Sequence, residues 1–83
     1  TLLQTNLNIK IMTNSKLNHI NTRLGVWYTN AKLDFGVIGS AKARIENEKV
    51  IIDYTENGEN YTWSMSYKYN ENVDFFNVWA EEA

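Results

Sequence analysis

The sequence predicts a mainly β (α+β) fold: an antiparallel β meander of five to six strands with one short N-terminal helix, residues 1–83 forming a single domain. Three observations carry this. Asn57-Gly58 separates two runs of alternating strand formers, a strong hairpin signal because both turn positions need φ > 0. A second hairpin register, read independently upstream, puts its apolar residues on the same face. The chain has 83 residues, 43% of them apolar and 13% aromatic, which suits one thin-cored globular domain.

The central hairpin comes first. With Asn57-Gly58 at the turn, Tyr54 opposes Tyr61, Ile52 opposes Trp63 and Val50 opposes Met65, all on one face. The other face takes Asp53 with Thr62 and Ile51 with Ser64. A two-residue turn at Asn47-Glu48 then sets Ile45 against Val50, Ala43 against Ile52 and Ala41 against Tyr54. Lys42 meets Asp53 on the opposite face, a cross-strand pair of opposite charge. Three strands, roughly 40–46, 49–55 and 60–69, share one register.

The flanks are less determined. Downstream, Asn70-Glu71-Asn72 is turn-like and 73–79 is strand-like. One loop length puts Phe76 and Val78 on the core face, and the other puts Val73, Phe75 and Trp79 there, since a one-residue slip flips every side chain. Upstream, Trp27, Thr29, Ala31, Leu33 and Phe35 alternate with Val26, Tyr28, Asn30, Lys32 and Asp34, which predicts another strand. Gly36 and Gly39 mark a turn or bulge after it. In the first 24 residues, Leu3, Thr5, Leu7, Ile9 and Ile11 alternate strictly and predict a strand at 2–12. Leu17, Ile20 and Leu24 recur at helical spacing and predict a helix at 15–24, with Asn14 or Ser15 as N-cap and Gly25 beyond its end. The alternative is one long N-terminal helix leading into the sheet.

Composition narrows the chemistry. The chain has no Cys, which excludes disulfides, thiolate zinc sites and cysteine nucleophiles. No apolar run reaches the roughly 18 residues of a membrane span. The compartment is left open: the first residue is Thr1 and not Met, which fits either a removed leader or a start inside a longer protein. No phosphate-cradling glycine loop, EF-hand, nucleophile elbow or HExxH pattern is present. His19 is the sole histidine and has no local partners for a triad or a metal. Asp53 is the best single carboxylate for acid–base work, but its expected neighbour Lys42 points to a structural pair. The reading is therefore no enzyme, no cofactor and no metal. Charge is segregated: residues 1–50 hold seven Lys/Arg and three acids, while 51–83 hold Lys68 and seven acids. The aromatic-rich half is the acidic one, which opposes nucleic-acid stacking.

Gly25-Val26-Trp27 followed by a β meander resembles the Gly-x-Trp opening of lipocalin-like barrels. That resemblance implies a strand beginning at the tripeptide and a curled sheet enclosing a small apolar ligand, although too few residues follow for eight strands.

The aromatic stripe Tyr61, Trp63, Met65, Tyr67, Tyr69 exceeds what Leu17, Ile20 and Leu24 can cover. Sheet curling, a second copy, a partner protein or a ligand must then cover the rest. The function expected is a non-enzymatic protein-interaction module, either a self-assembling subunit or a small inhibitor or immunity-type binder. The alternative is a carrier of a small apolar ligand. The contact residues expected are Tyr67, Tyr69, Phe75, Phe76 and Trp79. Glu71 and Asp74 form a polar rim steering a basic partner, which includes another copy of this chain.

Overall fold

A computed structural model describes residues 14–68 and 72–83. The elements run α1 (Asn14–Phe35), β1 (Gly39–Glu46), β2 (Lys49–Glu56), β3 (Glu59–Ser66) and α2 (Phe75–Glu82). The strands form one antiparallel sheet in the order β1-β2-β3. Five to six strands with one short helix is therefore corrected, among the described residues, to three strands and two helices, one long and one short. The expected strand at 2–12 lies outside the described residues.

The two hairpins follow the sequence register. Ile52 pairs with Trp63, Val50 with Met65 and Tyr54 with Tyr61. Ala43 pairs with Ile52 and Lys42 with Asp53. Asn47, Glu48, Asn57 and Gly58 all have positive φ, between 52° and 87°, as two-residue turns between twisted strands require. The ion pair differs from expectation: Arg44, diagonal to Asp53, takes its carboxylate, and Thr62 donates a second hydrogen bond to it at 2.9 Å. The longer guanidinium reaches across one position and offers several donors.

The strand expected at 26–35 is helix, and Gly25 sits inside α1 rather than beyond its end. An interior glycine costs only about 1 kcal/mol, too little to stop a helix already propagating on both sides. The stripe Ile20, Leu24, Tyr28 is buried, and Phe35 continues it two turns on. Most residues between, namely Asn30, Ala31, Lys32 and Asp34, are weak strand formers. Thr22 and Thr29 return their hydroxyls to the carbonyls of Asn18 and Gly25, each at 2.9 Å. The stop is Gly36, at φ +69°. Its N–H bonds the Lys32 carbonyl at 3.1 Å, and Val37 reaches back to Ala31 at 3.2 Å. The Gly-x-Trp tripeptide therefore opens no strand, and the three described strands form an open sheet. The strand that the lipocalin-like resemblance implies at the tripeptide is corrected with it.

The last expected strand is also helix. Neither strand register could bury the consecutive Phe75 and Phe76 together with Trp79; a helix can, because these positions fall on one broad arc. Asp74 caps it, its carboxylate accepting from the Asn77 N–H at 3.1 Å. Both helices lie on the apolar face of the sheet. Ile20, Leu24 and Tyr28 meet Ala43, Val50 and Ile52, with Tyr67, Phe75, Phe76 and Trp79 completing one core cluster. Gly39 permits the close approach of α1: a Cβ there would lie 2.3 Å from the Thr55 carbonyl oxygen and 2.8 Å from the Tyr28 ring. No described helix is long and apolar enough to cross a membrane.

Candidate functional site: an apolar end rimmed by carboxylates

The residues expected to contact a partner are placed mostly inside. Tyr67, Phe75, Phe76 and Trp79 are between 1% and 8% exposed. Side chains that deep offer no contact surface, so they act as core. The cause is α2: as a helix it turns its aromatics onto the sheet instead of displaying them. Asp74 is on the surface, but it is engaged. Arg23 holds both of its oxygens, at 2.8 and 3.0 Å, and also donates to Asn77 Oδ1 at 3.0 Å. The Arg23 hydrogen bonds hold the Asp74 carboxyl below the usual carboxylate range, with the Asn77 N–H and the guanidinium charge adding to the effect. Tyr69 and Glu71 lie outside the described residues.

The aromatics form a connected set around Trp79. Trp27 and Tyr54 meet it edge-on, with ring centres 5.7 and 5.4 Å away, and Phe76 lies 5.8 Å off. Such contacts each contribute about 0.5–1.5 kcal/mol beyond area burial. The Trp79 indole N–H has no acceptor among the described residues. Tyr28 donates its hydroxyl to Glu56 at 2.8 Å. Burial, then the Glu56 carboxylate, pushes its ionisation well above the ordinary phenol value.

Val26 and Trp27 are exposed midway along α1, and the three most exposed large apolar residues lie at one end of the fold. The 22-residue α1 spans about 33 Å, and an 8-residue strand about 26 Å. The last turn of the helix thus carries apolar residues past their cover. Leu33, Phe35 and Ile38 are 77%, 81% and 69% exposed. The segment holding them is anchored. The Ile38 carbonyl accepts from the Asn57 N–H at 2.8 Å, and the Ile38 N–H donates to Asn57 Oδ1 at 3.2 Å. The α1–β1 connection and the β2–β3 turn therefore form one rigid end. Tyr61, stacked on Tyr54 with centroids 5.1 Å apart, adds an exposed ring. Asp34, Glu56 and Glu59 belong to the same segments, with Lys32 as the one cation in them. The carbonyl end of α1 adds further negative potential.

At the opposite end an open groove of about 510 Å³ is lined by Ser15, Lys16, His19, Arg23, Val73 and Asp74. Its best donor, Arg23, and its best acceptor, Asp74, already bond each other. No group of three or more metal-ligating side chains occurs among the described residues.

The described chain is thus an α-β-β-β-α domain with one helix-covered sheet face and one solvated face. Comparison with protein-family models, curated proteins and solved structures finds no match to it. The apolar end was not singled out from the sequence, because Leu33 and Phe35 take the core-facing positions of the strand expected there.

Proposed function

We propose that this chain is a non-enzymatic protein-interaction module whose working surface is the end formed by Leu33, Phe35 and Ile38. One observation carries the reading: three large apolar side chains within six residues are each more than two-thirds exposed on a rigidly tied segment. Exposed apolar surface rimmed by polar groups is a mark of interaction sites. The rim of Asp34, Glu56 and Glu59 suits a partner segment that presents apolar residues flanked by Lys or Arg. The carboxylates steer the encounter, and the apolar contacts hold the complex.

The test is selection of peptides from a random library on the immobilised chain, followed by binding measurements on Leu33→Ser and Phe35→Ser. Selected peptides should be apolar and basic. Each variant should lose about tenfold or more in affinity, since removing an apolar anchor costs over 1 kcal/mol, with the melting temperature unchanged. Peptides that bind equally well to both variants refute the assignment.

A further inference from the structure

The two edges of the sheet are treated differently. At β1 the Asn21 side chain, on α1, acts as a short strand substitute. Its Oδ1 accepts from the Ala43 N–H at 2.7 Å, and its Nδ2 donates to the Ala43 carbonyl at 3.3 Å. That plug meets the outward backbone groups at the centre of β1 and obstructs strand addition there.

At β3 the described residues supply no plug. The two-residue turn at Asn57-Gly58 makes Glu56 and Glu59 a hydrogen-bonded pair, so Tyr61 and Trp63 also bond toward β2. The N–H and carbonyl groups of Asn60, Thr62 and Ser64 therefore point outward. No backbone partner beyond the sheet is recorded for them among the described residues. Natural edges are usually guarded by charge, proline or a bulge. From Asn60 to Ser66 this strand has none of these: it reads Asn-Tyr-Thr-Trp-Ser-Met-Ser and pairs in unbroken register with β2.

We propose that β3 pairs antiparallel with β3 of a second copy of this chain, about a two-fold axis at Thr62, to give a continuous six-stranded sheet. The side-chain order is self-complementary in that register. Thr62 faces its own mate, and Asn60 faces Ser64 on the solvated side. Tyr61 faces Trp63 on the helix side, and Glu59 faces Met65. Hydroxyl pairs and aromatic pairs are favourable cross-strand combinations, and no like charges stand opposite each other. The contact is isologous, so it closes as a dimer and does not propagate. The contact engages Tyr61 and Glu59 at the margin of the apolar end and leaves Leu33, Phe35 and Ile38 open on both copies.

The test uses the full chain, in three measurements. Sedimentation from micromolar to millimolar concentration should show a monomer–dimer equilibrium. Amide exchange at Asn60, Thr62 and Ser64 should slow as the dimer fills. Thr62→Pro removes an outward N–H on each copy without touching the β2 ladder, and should weaken association about tenfold to a hundredfold. Because the chain has no cysteine, Thr62→Cys also gives a unique thiol, expected to oxidise to a covalent dimer while Lys42→Cys on β1 does not. That measurement decides the matter should the proline variant fail to fold. Three results overturn the proposal: a monomer at millimolar concentration, edge amides protected to the same degree at every concentration, or equal cross-linking from both thiols.

Discussion

Replacing Trp79 tests whether the short C-terminal helix is part of the core. Trp79 is 1% exposed and contacts the rings of Trp27, Tyr28, Tyr54 and Phe76. Truncating a buried Trp to Ala costs about 3–5 kcal/mol, including the cavity. An 83-residue domain has roughly 4–12 kcal/mol of total stability, so Trp79→Ala should remove a large part of it or unfold the chain. Trp79→Phe separates the two contributions. It keeps a ring among its neighbours and deletes the indole N–H that lacks an acceptor among the described residues. Losing the larger ring system costs about 1–2 kcal/mol, and relief of an unsatisfied donor returns about 1–3 kcal/mol. The net change should be about 1 kcal/mol or less. Urea denaturation followed by far-UV circular dichroism gives both values. The contrast with Trp27→Ala is informative, because that ring is 41% exposed and its loss should cost less. A loss below about 1 kcal/mol for Trp79→Ala, or equal losses for the Ala and Phe variants, would show that α2 is not docked as described.

Three further outcomes follow from the same geometry. Tyr28 keeps its proton in the fold to a higher pH than in the unfolded chain, so between the two values only the folded state binds it. Stability should fall as pH rises above the ordinary phenol value of 10.0, and Tyr28→Phe should flatten that alkaline limb in denaturant titrations. Asp74 is shifted the other way, below its ordinary 3.8. Its contribution is present above that value and is lost as pH falls through the lower, folded one. Asp74→Ala should flatten the acid limb and cost about 0.5–2 kcal/mol at neutral pH through the lost helix cap. Gly39→Ala should destabilise strongly, because the added carbon would press on the Thr55 carbonyl and the Tyr28 ring. An unchanged melting temperature would contradict the close packing of α1 on β1.

What was legible in the sequence was local and doubly determined. At Asn57-Gly58 and Asn47-Glu48, turn chemistry and strand alternation agreed, and both registers were recovered residue by residue. At 26–35 the same residues satisfied two periods. Alternation was visible, but so was the i, i+4 stripe from Leu24 to Tyr28, and helix propagation through Gly25 decided between them. At 73–79 the sign of error was internal: one strand register left Phe75 and Trp79 outside, the other left Phe76 outside, and only a period of 3.6 gathers all three. The excess of aromatics over cover was therefore an artefact of counting one short helix. The Arg23–Asp74 link and the Asn21 plug had no local signal, since they join residues 51 and 22 positions apart. The apolar end was invisible for a different reason: exposure of Leu33 and Phe35 depends on where the sheet stops beneath α1.

The acid-rimmed apolar end is the proposed working surface. The most direct measurement is an NMR titration of the full chain with a library-selected apolar, basic peptide, following backbone amides and side-chain methyls. Shifts should concentrate at Leu33, Phe35, Ile38 and Tyr61, weaken with added salt and vanish in Phe35→Ser. Shifts centred on the Arg23–Asp74 groove or on the solvated face around Asp53, or titration unaffected by Phe35→Ser, would contradict it.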